Sequence, residues 1–377
     1  MTTRVPILQT CFSRSWGGLE IQALEMTAQL ATRGHPVTLA CCTGSRLSSE
    51  ATSLPLTVIE LPVSGYFHPA AIWRLSRYIR SAMPRIIHCQ HSRDLSLVVP
   101  AADLSAARPA ILLSKRVGSY VSKRDPFHRY TYSRVARVLA ISEVIHRNVL
   151  ATTPMAPEDV LTLHDAIDSG EYSPGKGNRR GVRKEFGYTG ETIVVGFVGR
   201  FSPGKGHEEL LQAAASIVGA RPNVRFLIAG EASAGEGTYE RAIRRMCTSL
   251  ALDAAVTFAG FRRDIPDVMA SFDVLAFPSH AESFGVVLIE AMAMELPVVS
   301  TNCDGVLDIV VEGETGLYVR PRSAGELAGA LLRLIDDPGL RRKFGTAGRK
   351  RVLELFDRRN QIDRLEAIYE DVLKGPA

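Results

Sequence analysis

Short apolar runs alternate with amphipathic stretches along the first 165 residues of the chain. Between the first two runs, Ile21, Leu24, Ala28 and Ala31 recur at helical spacing, and Gly34 stands where that helix should end. The runs are rich in Val, Ile and Leu and predict strands at Val5–Gln9, Val37–Cys41, Leu56–Leu61, Ile86–Cys89, Ala110–Leu113, Val138–Ile141 and Val160–Leu163. Such alternation predicts a parallel sheet covered by helices on both faces.

The alternation breaks at 166–190, a polar, glycine-containing stretch that predicts a linker between two domains. It then restarts, with strands predicted at Ile193–Gly199, Val224–Ala229, Val256–Ala259, Val274–Phe277 and Pro297–Thr301. The helices predicted between and after these strands are His207–Val218, Thr238–Leu250, Gly285–Met294, Gly325–Ile335 and Arg358–Leu373. We therefore expect an α/β fold with two Rossmann-like, doubly wound domains, 1–165 and 191–355, facing a central cleft where ligands bind.

Composition narrows the class of protein. No apolar stretch reaches the roughly 18–20 residues that span a bilayer, and the first 15 residues lack the pattern of a secretion signal. None of the six cysteines forms a C-x-x-C pair, which favours a reducing cytoplasm over a disulfide framework or a zinc cage. Residues 1–165 hold 18 Lys and Arg against 11 Asp and Glu, whereas the remainder holds 27 against 29. The positive charge of the first domain suggests an anionic partner.

A glycine-rich turn follows the predicted strand Ile193–Gly199, with the sequence GRFSPGKGH. Its glycines permit close backbone approach, the following helix offers free N–H groups, and Arg200 and Lys205 add two cations. This combination predicts a diphosphate site. The spacing also matches most of a P-loop, but Gly206 stands where Ser or Thr must hold magnesium. An ordinary strand–helix turn with solvated cations is the other alternative.

A second candidate site follows the predicted strand Val274–Phe277 and reads PSHAESFGVVLIE. Ser283 is expected to cap a helix that starts near Gly285, so the N–H groups of Phe284, Gly285 and Val286 would face a ligand. Glu282 lies before that helix. Glu290 lies about five residues inside it, or about 7–8 Å along the axis from the helix start at about 1.5 Å per residue. A ligand with phosphate at the helix tip and hydroxyls on either side suits this pattern.

These motifs resemble those of the family 4 retaining glycosyltransferases of GT-B fold. The E-x7-E pair formed by Glu282 and Glu290, combined with the R-x4-K turn, is the more specific part of the resemblance. Further segments similar to the family's are Gly17-Gly18-Leu19-Glu20, Ile141-Ser142-Glu143, Ala166-Ile167-Asp168 and Gly260-Phe261-Arg262. The resemblance also implies that the last segment, 356–377, contains a helix that packs back on the first domain.

The resemblance implies a role for each matched residue, with a nucleoside-diphosphate sugar as co-substrate and no cofactor or metal. Arg200 and Lys205 would bind the diphosphate and stabilise the charge on the leaving group, and Glu290 would hold the ribose. Glu282 and the backbone of Ser283–Gly285 and Val286 would hold the sugar and distal phosphate. Gly17 and Gly18 would approach the phosphates, and Phe261 and Arg262 would line the base pocket. The base stays open among uracil, guanine and adenine.

The chain has no D-x-D pair of the kind that holds a metal in metal-dependent transferases. Two cations and a helix terminus can instead neutralise the leaving group through preorganised electrostatics. We therefore predict a metal-independent transfer, catalysed by Arg200, Lys205 and Glu282. The family further implies retention of configuration through front-face attack.

The acceptor side departs from the family, because Ser114-Lys115-Arg116 stands where members often carry an active-site histidine. His91, Lys115 and Arg116 are the candidates to face the acceptor, whereas His88 or His91 could instead be a buried structural imidazole. Basic and aromatic residues also alternate over 115–137. We expect a glycan or lipid-linked acceptor, anionic in character, in cell-envelope polysaccharide or lipopolysaccharide synthesis.

The expected setting is cytoplasmic, with contact to the inner membrane face and no nucleic-acid partner. Two other functions remain open from the sequence. One is a different GT-B enzyme, either a sugar-nucleotide epimerase or a phosphorylase. The other is a binding module whose basic face docks on nucleic acid or membrane.

Overall fold

The computed structural model describes residues 4–63, 68–232 and 237–375, which divide into two compact units. The first unit comprises 1–165 and 359–377, and the second comprises 166–358. No helix among the described residues is long and apolar enough to cross a membrane. The two Rossmann-like domains expected from the sequence are confirmed, each built on its own parallel sheet.

The sheet of the first unit has seven parallel strands in the order β3-β2-β1-β4-β5-β6-β7. These strands are β1 Ile7–Cys11, β2 Val37–Cys42, β3 Thr57–Leu61, β4 Ile86–Cys89, β5 Ala110–Lys115, β6 Val135–Ala140 and β7 Val160–Thr162. The helices are α1 Gly18–Thr32, α2 Arg46–Thr52, α3 Pro69–Ala82, α4 Leu95–Ser105, α5 Pro126–Tyr132 and α6 Glu143–Thr152. The central strands are buried along their whole length, as the uninterrupted apolar runs predict.

The sheet of the second unit has six parallel strands in the order β10-β9-β8-β11-β12-β13. These strands are β8 Ile193–Val198, β9 Val224–Ala229, β10 Val256–Gly260, β11 Val274–Phe277, β12 Val298–Thr301 and β13 Gly316–Val319. The helices are α7 Arg179–Glu185, α8 His207–Val218, α9 Gly237–Ser249, α10 Ile265–Ala270, α11 Val286–Ala293, α12 Val306–Ile309, α13 Ala324–Asp336 and α14 Pro338–Leu355. A core of α8, α9, α13 and strand side chains closes one face of this sheet.

The segment 166–190, expected to be a linker, packs as part of the second unit and contains α7. The backbone N–H of Asn178 donates to Asp267, and Arg179 donates to the carbonyl oxygen of Ala270 and to Asp273. These polar contacts replace the apolar run whose absence suggested a linker.

The last helix, α15 Arg358–Lys374, belongs to the first unit from residue 359 onward. Ile362, Leu365, Ile368 and Tyr369 pack into the core beneath the sheet, together with Ile7 and other side chains of that unit. Its polar residues are engaged as well, because Arg33 and His35 both bond to Glu366.

Candidate active site

In both sheets the strand order reverses at one point, between β1 and β4 in the first unit and between β8 and β11 in the second. Ligands of doubly wound sheets bind beyond the carboxyl ends of the strands at such a point. The two predicted motifs of the second unit follow β8 and β11. The fold therefore brings them together at the switch point of its sheet.

The turn after β8 requires glycine at two positions. Gly204 and Gly206 have φ of 85° and 81°, in the left-handed region that favours glycine. A Cβ at Gly206 would lie 2.2 Å from the carbonyl oxygen of Pro278, in the loop after β11. That loop is also bonded to the turn, since the N–H of His280 donates to the carbonyl of Gly204 at 2.8 Å. The glycines thus let the two motifs pack against each other.

Lys205 and Glu282 form an ion pair across the two motifs. The Nζ of Lys205 lies 2.5 Å from Oε2 of Glu282, and the two side chains are 28% and 19% exposed. The carbonyl of Glu282 accepts from Gly305 N, and its N–H donates to Asp304. A cation and a carboxylate are therefore held side by side at the switch point, while Arg200 is exposed on the same turn.

Helix α11 begins one step later than expected from the sequence. Ser283 is not its N-cap: Gly285 occupies that position, with φ of 107°, and Val286 is the first helical residue. The left-handed backbone at Gly285 turns the chain, so no side-chain cap is used. Phe284 is buried and meets Phe356 edge-on at 5.7 Å between ring centroids, so only its backbone is available to a ligand.

Glu290 lies inside α11 and is partly buried. The hydroxyl of Tyr172 donates to its Oε1 at 3.1 Å. Tyr172 was missed from the sequence, because it lies in the segment interpreted as a linker. This hydrogen bond orients the carboxylate of Glu290.

The side chain of Arg262 is already neutralised by two carboxylates, Asp264 and Glu185. Hydrogen bonds to these partners, first of all to Asp264, raise the pKa of the guanidinium further above its ordinary range. Phe261 beside it is 47% exposed. Arg262 therefore fastens its loop to the end of α7, and Phe261 is the side chain of this pair that is open to a ligand.

His207, His280 and Glu209 were not predicted as functional residues. His207 stacks on Phe201 at 4.5 Å, and burial lowers its pKa to about 4, so it supports the turn as a neutral ring. The Nε2 of His280 lies 2.9 Å from Oε1 of Glu209 at the start of α8. In the sequence, only their position next to the two motifs could have pointed to these three residues.

In the first unit, Gly17 and Gly18 open α1 after β1, with Gly17 as N-cap and Gly18 as the first helical residue. Nothing lies within 4 Å of a Cβ built on Gly18. The loop before them is held by buried Asp94, which accepts hydrogen bonds from Thr10 Oγ1 at 2.9 Å and from Phe12 N at 3.3 Å. Burial raises the pKa of Asp94 to about 7 despite these bonds.

The structure separates the acceptor-side candidates. Arg116 is buried and bonded to Asp165 through Nε, at 3.1 and 3.3 Å, and to Gln90 through Nη1, at 2.6 Å. These buried hydrogen bonds occupy its guanidinium. The position of Arg116 beside Lys115 in the sequence did not reveal this. Lys115 is only 5% exposed, and burial followed by nearby Lys123 lowers its pKa to about 7.

The two histidines after β4 also differ. His88 is a satisfied interior imidazole, with Nδ1 2.7 Å from the Tyr369 hydroxyl and Nε2 2.9 Å from Ser114 Oγ. Burial lowers its pKa to about 3. His91 is partly exposed, and its Nδ1 accepts from the N–H of Arg93 at 3.1 Å.

Comparison with known proteins covers both units. The Glycosyltransferase Family 4 model matches residues 16–171, and the Glycosyl transferases group 1 model matches residues 178–351. The capsular polysaccharide biosynthesis glycosyltransferase CapM of Staphylococcus aureus is 32% identical over 63% of this chain and 62% of its own length. An N-acetyl-alpha-D-glucosaminyl L-malate synthase of Bacillus anthracis is 23% identical over 97% of this chain and 96% of its own.

The fold also has counterparts among solved structures. The crystal structure of HepE from Anabaena, in complex with UDP and glucose, superposes with a TM-score of 0.83 at 21% identity. That superposition covers 99% of this chain and 100% of the other. With both of its units matched by the paired family models, the chain belongs to the family 4 glycosyltransferases and has the GT-B fold.

Proposed function

We propose that the protein transfers a sugar from a nucleoside-diphosphate sugar to a glycan or lipid-linked acceptor, without a metal and with retention of configuration. The observation that carries the proposal is the Lys205–Glu282 pair at the switch point of the second sheet, with Arg200 and the start of α11 beside it. Breaking the sugar–phosphate bond of the donor leaves negative charge on the diphosphate, and cations fixed in a folded turn stabilise that charge without reorganisation.

The proposed division of roles follows from these contacts. Arg200 and Lys205 bind the diphosphate. The ion pair with Lys205 also orients Glu282 toward the sugar. Glu290, oriented by Tyr172, accepts the ribose hydroxyls. Gly17 and Gly18 present backbone to the phosphates, Phe261 lies against the base, and the backbone of Ser283–Val286 receives the distal phosphate.

Uracil is the proposed base. HepE, which shares the fold, was crystallised with UDP and glucose, which supports UDP as the first nucleotide to test. Thermal shift with UDP, GDP and ADP distinguishes the bases, because a ligand that binds only the folded state raises the melting temperature. A clear shift with UDP alone supports the proposal, whereas no shift with any of the three contradicts a nucleotide-sugar enzyme.

The acceptor is proposed to be an anionic component of a cell-envelope glycan. CapM takes part in capsular polysaccharide biosynthesis, and the relative from Bacillus anthracis is named as an N-acetyl-alpha-D-glucosaminyl L-malate synthase, in which L-malate is an anion. The first unit holds 21 Lys and Arg against 15 Asp and Glu, and the second holds 24 against 25, so the positive charge lies on the proposed acceptor side. All six cysteines are buried and free, which supports a reducing cytoplasmic setting.

Contact with a membrane face is part of the proposal. The loop after β5 and the start of α5 expose apolar side chains, with Tyr120 fully exposed, Val121 71% exposed and Phe127 51% exposed. Arg124 and Arg129 lie among them and donate to backbone carbonyls. Apolar side chains flanked by cations suit an anionic lipid surface.

An epimerase or phosphorylase would use the same donor motifs. Product analysis separates these activities from transfer: an epimerase returns an altered sugar nucleotide, and a phosphorylase consumes inorganic phosphate. Only a transferase releases nucleoside diphosphate while it forms a new glycosidic bond to the acceptor.

A further inference from the structure

Two lysines of the first unit lie close together without a counter-charge. Lys115 ends β5, and Lys123 follows in the loop after it. They are the only lysines among the 18 Lys and Arg of residues 1–165, where arginine supplies every other cation. Among the described residues, no carboxylate pairs with either ammonium group, whereas neighbouring Arg116 is paired with Asp165.

The neighbouring strand supplies further donors. Strands β4 and β5 are adjacent, so the residues that follow β4 lie beside Lys115. The Nζ of Lys123 is 3.4 Å from Ser92 Oγ. The charges of Lys115 and Lys123 act on the ring of His91, and the charge of Arg93 acts on Lys123. Because Nδ1 of His91 accepts the N–H of Arg93, the neutral ring carries its proton on Nε2 and is a donor.

The loop that carries Lys123 is fastened in place. The side-chain amide of Asn148 in α6 accepts from Ser119 N at 2.7 Å and donates to Ser119 O at 3.0 Å. The N–H of Lys123 donates to the carbonyl of Thr152 at 2.7 Å. The donors are thus positioned by the fold, which lowers the entropy cost of binding.

Two adjacent ammonium groups of which one is almost fully buried are unfavourable unless an anion offsets them. We propose that Lys115, Lys123, Ser92 and His91 form a phosphate-binding site that holds a phosphate group of the acceptor. Phosphate matches this site better than a carboxylate, because donors converge from two strand ends on a group with several acceptor oxygens and up to two charges. The assignment to the acceptor rests on the proposed function, in which the donor's diphosphate binds to the second unit.

The burial of Lys115 supports a functional rather than a structural role. Desolvation, and then the charge of Lys123, lower the pKa of Lys115 to about 7, and Lys123 is lowered in the same direction. Stability would be better served by an apolar residue at position 115. Lys115→Met is therefore expected to raise the melting temperature while it removes phosphate binding, and that rise also shows that the variant folds.

The test is calorimetric titration of the whole chain with inorganic phosphate, in the presence of saturating UDP to occupy the donor site. Lys115→Met and Lys123→Met should each bind phosphate at least about tenfold more weakly, the scale expected for losing a charge-assisted hydrogen bond. Lys374→Met, at the exposed end of α15 in the same unit, is the matched control and should bind phosphate like the wild type.

The outcomes separate the alternatives. Equal phosphate affinity in the lysine variants and the wild type, or no saturable binding to the wild type, overturns the site. Malonate binding as tightly as phosphate overturns the preference for phosphate. A parallel loss of UDP affinity in the lysine variants assigns them to the donor and overturns the acceptor role. If the protein binds phosphate but no nucleotide, the phosphate site is supported and the proposed function is contradicted.

Discussion

Glu290 and Tyr172 show how one hydrogen bond can orient a side chain for its proposed role. The hydroxyl of Tyr172 fixes the carboxylate of Glu290 from 118 residues away in the chain. A carboxylate that is held in this way can accept two vicinal hydroxyls, as a ribose offers, without first losing its own rotational freedom. A freely rotating carboxylate at the same position would bind the ribose less tightly.

Replacing Glu290 by Ala should weaken UDP binding by about 1.5–3 kcal/mol, the range for hydrogen bonds to a charged group. Tyr172→Phe should cause a smaller loss, because the carboxylate remains but is no longer oriented. Glu282→Ala is the matched control: it should lower turnover far more than UDP affinity. Calorimetry with UDP measures the affinity of all three variants, and a UDP-release assay measures the turnover of Glu282→Ala. Unchanged affinity in Glu290→Ala would remove the ribose assignment.

Asp94 gives a prediction about pH. Its pKa in the folded protein is about 7, mainly through burial, and about 4 is usual in an unfolded chain. Because the pKa of Asp94 is raised in the folded protein, its protonation stabilises the fold. That stabilisation is fully present below about pH 4 and is lost as the pH rises to about 7. The melting temperature of Asp94→Asn relative to wild type should therefore increase between pH 5 and pH 8. A difference that is constant across that range would contradict a neutral buried carboxyl.

At the scale of elements, the turn between β8 and α8 allows two neighbouring glycines to be compared. Gly204 and Gly206 share a left-handed backbone, but only a Cβ at Gly206 would collide with the carbonyl of Pro278. Gly204→Ala should cost about 1–2 kcal/mol of stability, as expected for a left-handed L-residue. Gly206→Ala should cost more and also weaken UDP binding, because it pushes the two motifs apart. Equal effects in urea unfolding would show that the packing of the motifs is unimportant.

Most elements could be predicted from the sequence, because their apolar periodicity is strong. In the second unit, strand β13 and helices α7, α10, α12 and α14 were missed. The first four have only four to seven residues each, and α14 buries little more than Phe344, Gly345, Gly348 and Val352. A helix with so narrow a buried stripe shows little periodicity. The motifs after β8 and β11 were found because they are local in the sequence.

What could not be predicted depends on contacts between distant residues. The pairing of Arg116 with Asp165 spans 49 residues, and only the fold shows that this guanidinium is unavailable. The donation of Tyr172 to Glu290 is of the same kind. Ser283 resembles an N-cap in its type, but the backbone at Gly285 supplies the turn instead.

For the whole molecule, the uneven charge and the exposed loop after β5 predict binding to anionic lipid. The wild type should sediment with vesicles that contain phosphatidylglycerol and remain free with phosphatidylcholine alone, and salt should weaken this binding. A triple change of Tyr120, Val121 and Phe127 to Ser should release it.

The matched control for that experiment is Leu353→Ser with Leu355→Ser, which removes exposed apolar side chains from the second unit. It should leave vesicle binding unchanged. If both sets of variants sediment like the wild type, the loop after β5 is not the lipid contact.

The central claim is metal-independent transfer from a nucleotide sugar, with Lys205 as a cation that stabilises the leaving diphosphate. The most direct measurement is the release of UDP from a panel of UDP-sugars in the presence of EDTA, with envelope glycolipid extract as acceptor. The account predicts release by the wild type that chelation does not change, and release reduced by about two to three orders of magnitude in Lys205→Ala. Loss of activity in EDTA that magnesium or manganese restores, or full activity in Lys205→Ala, would contradict it.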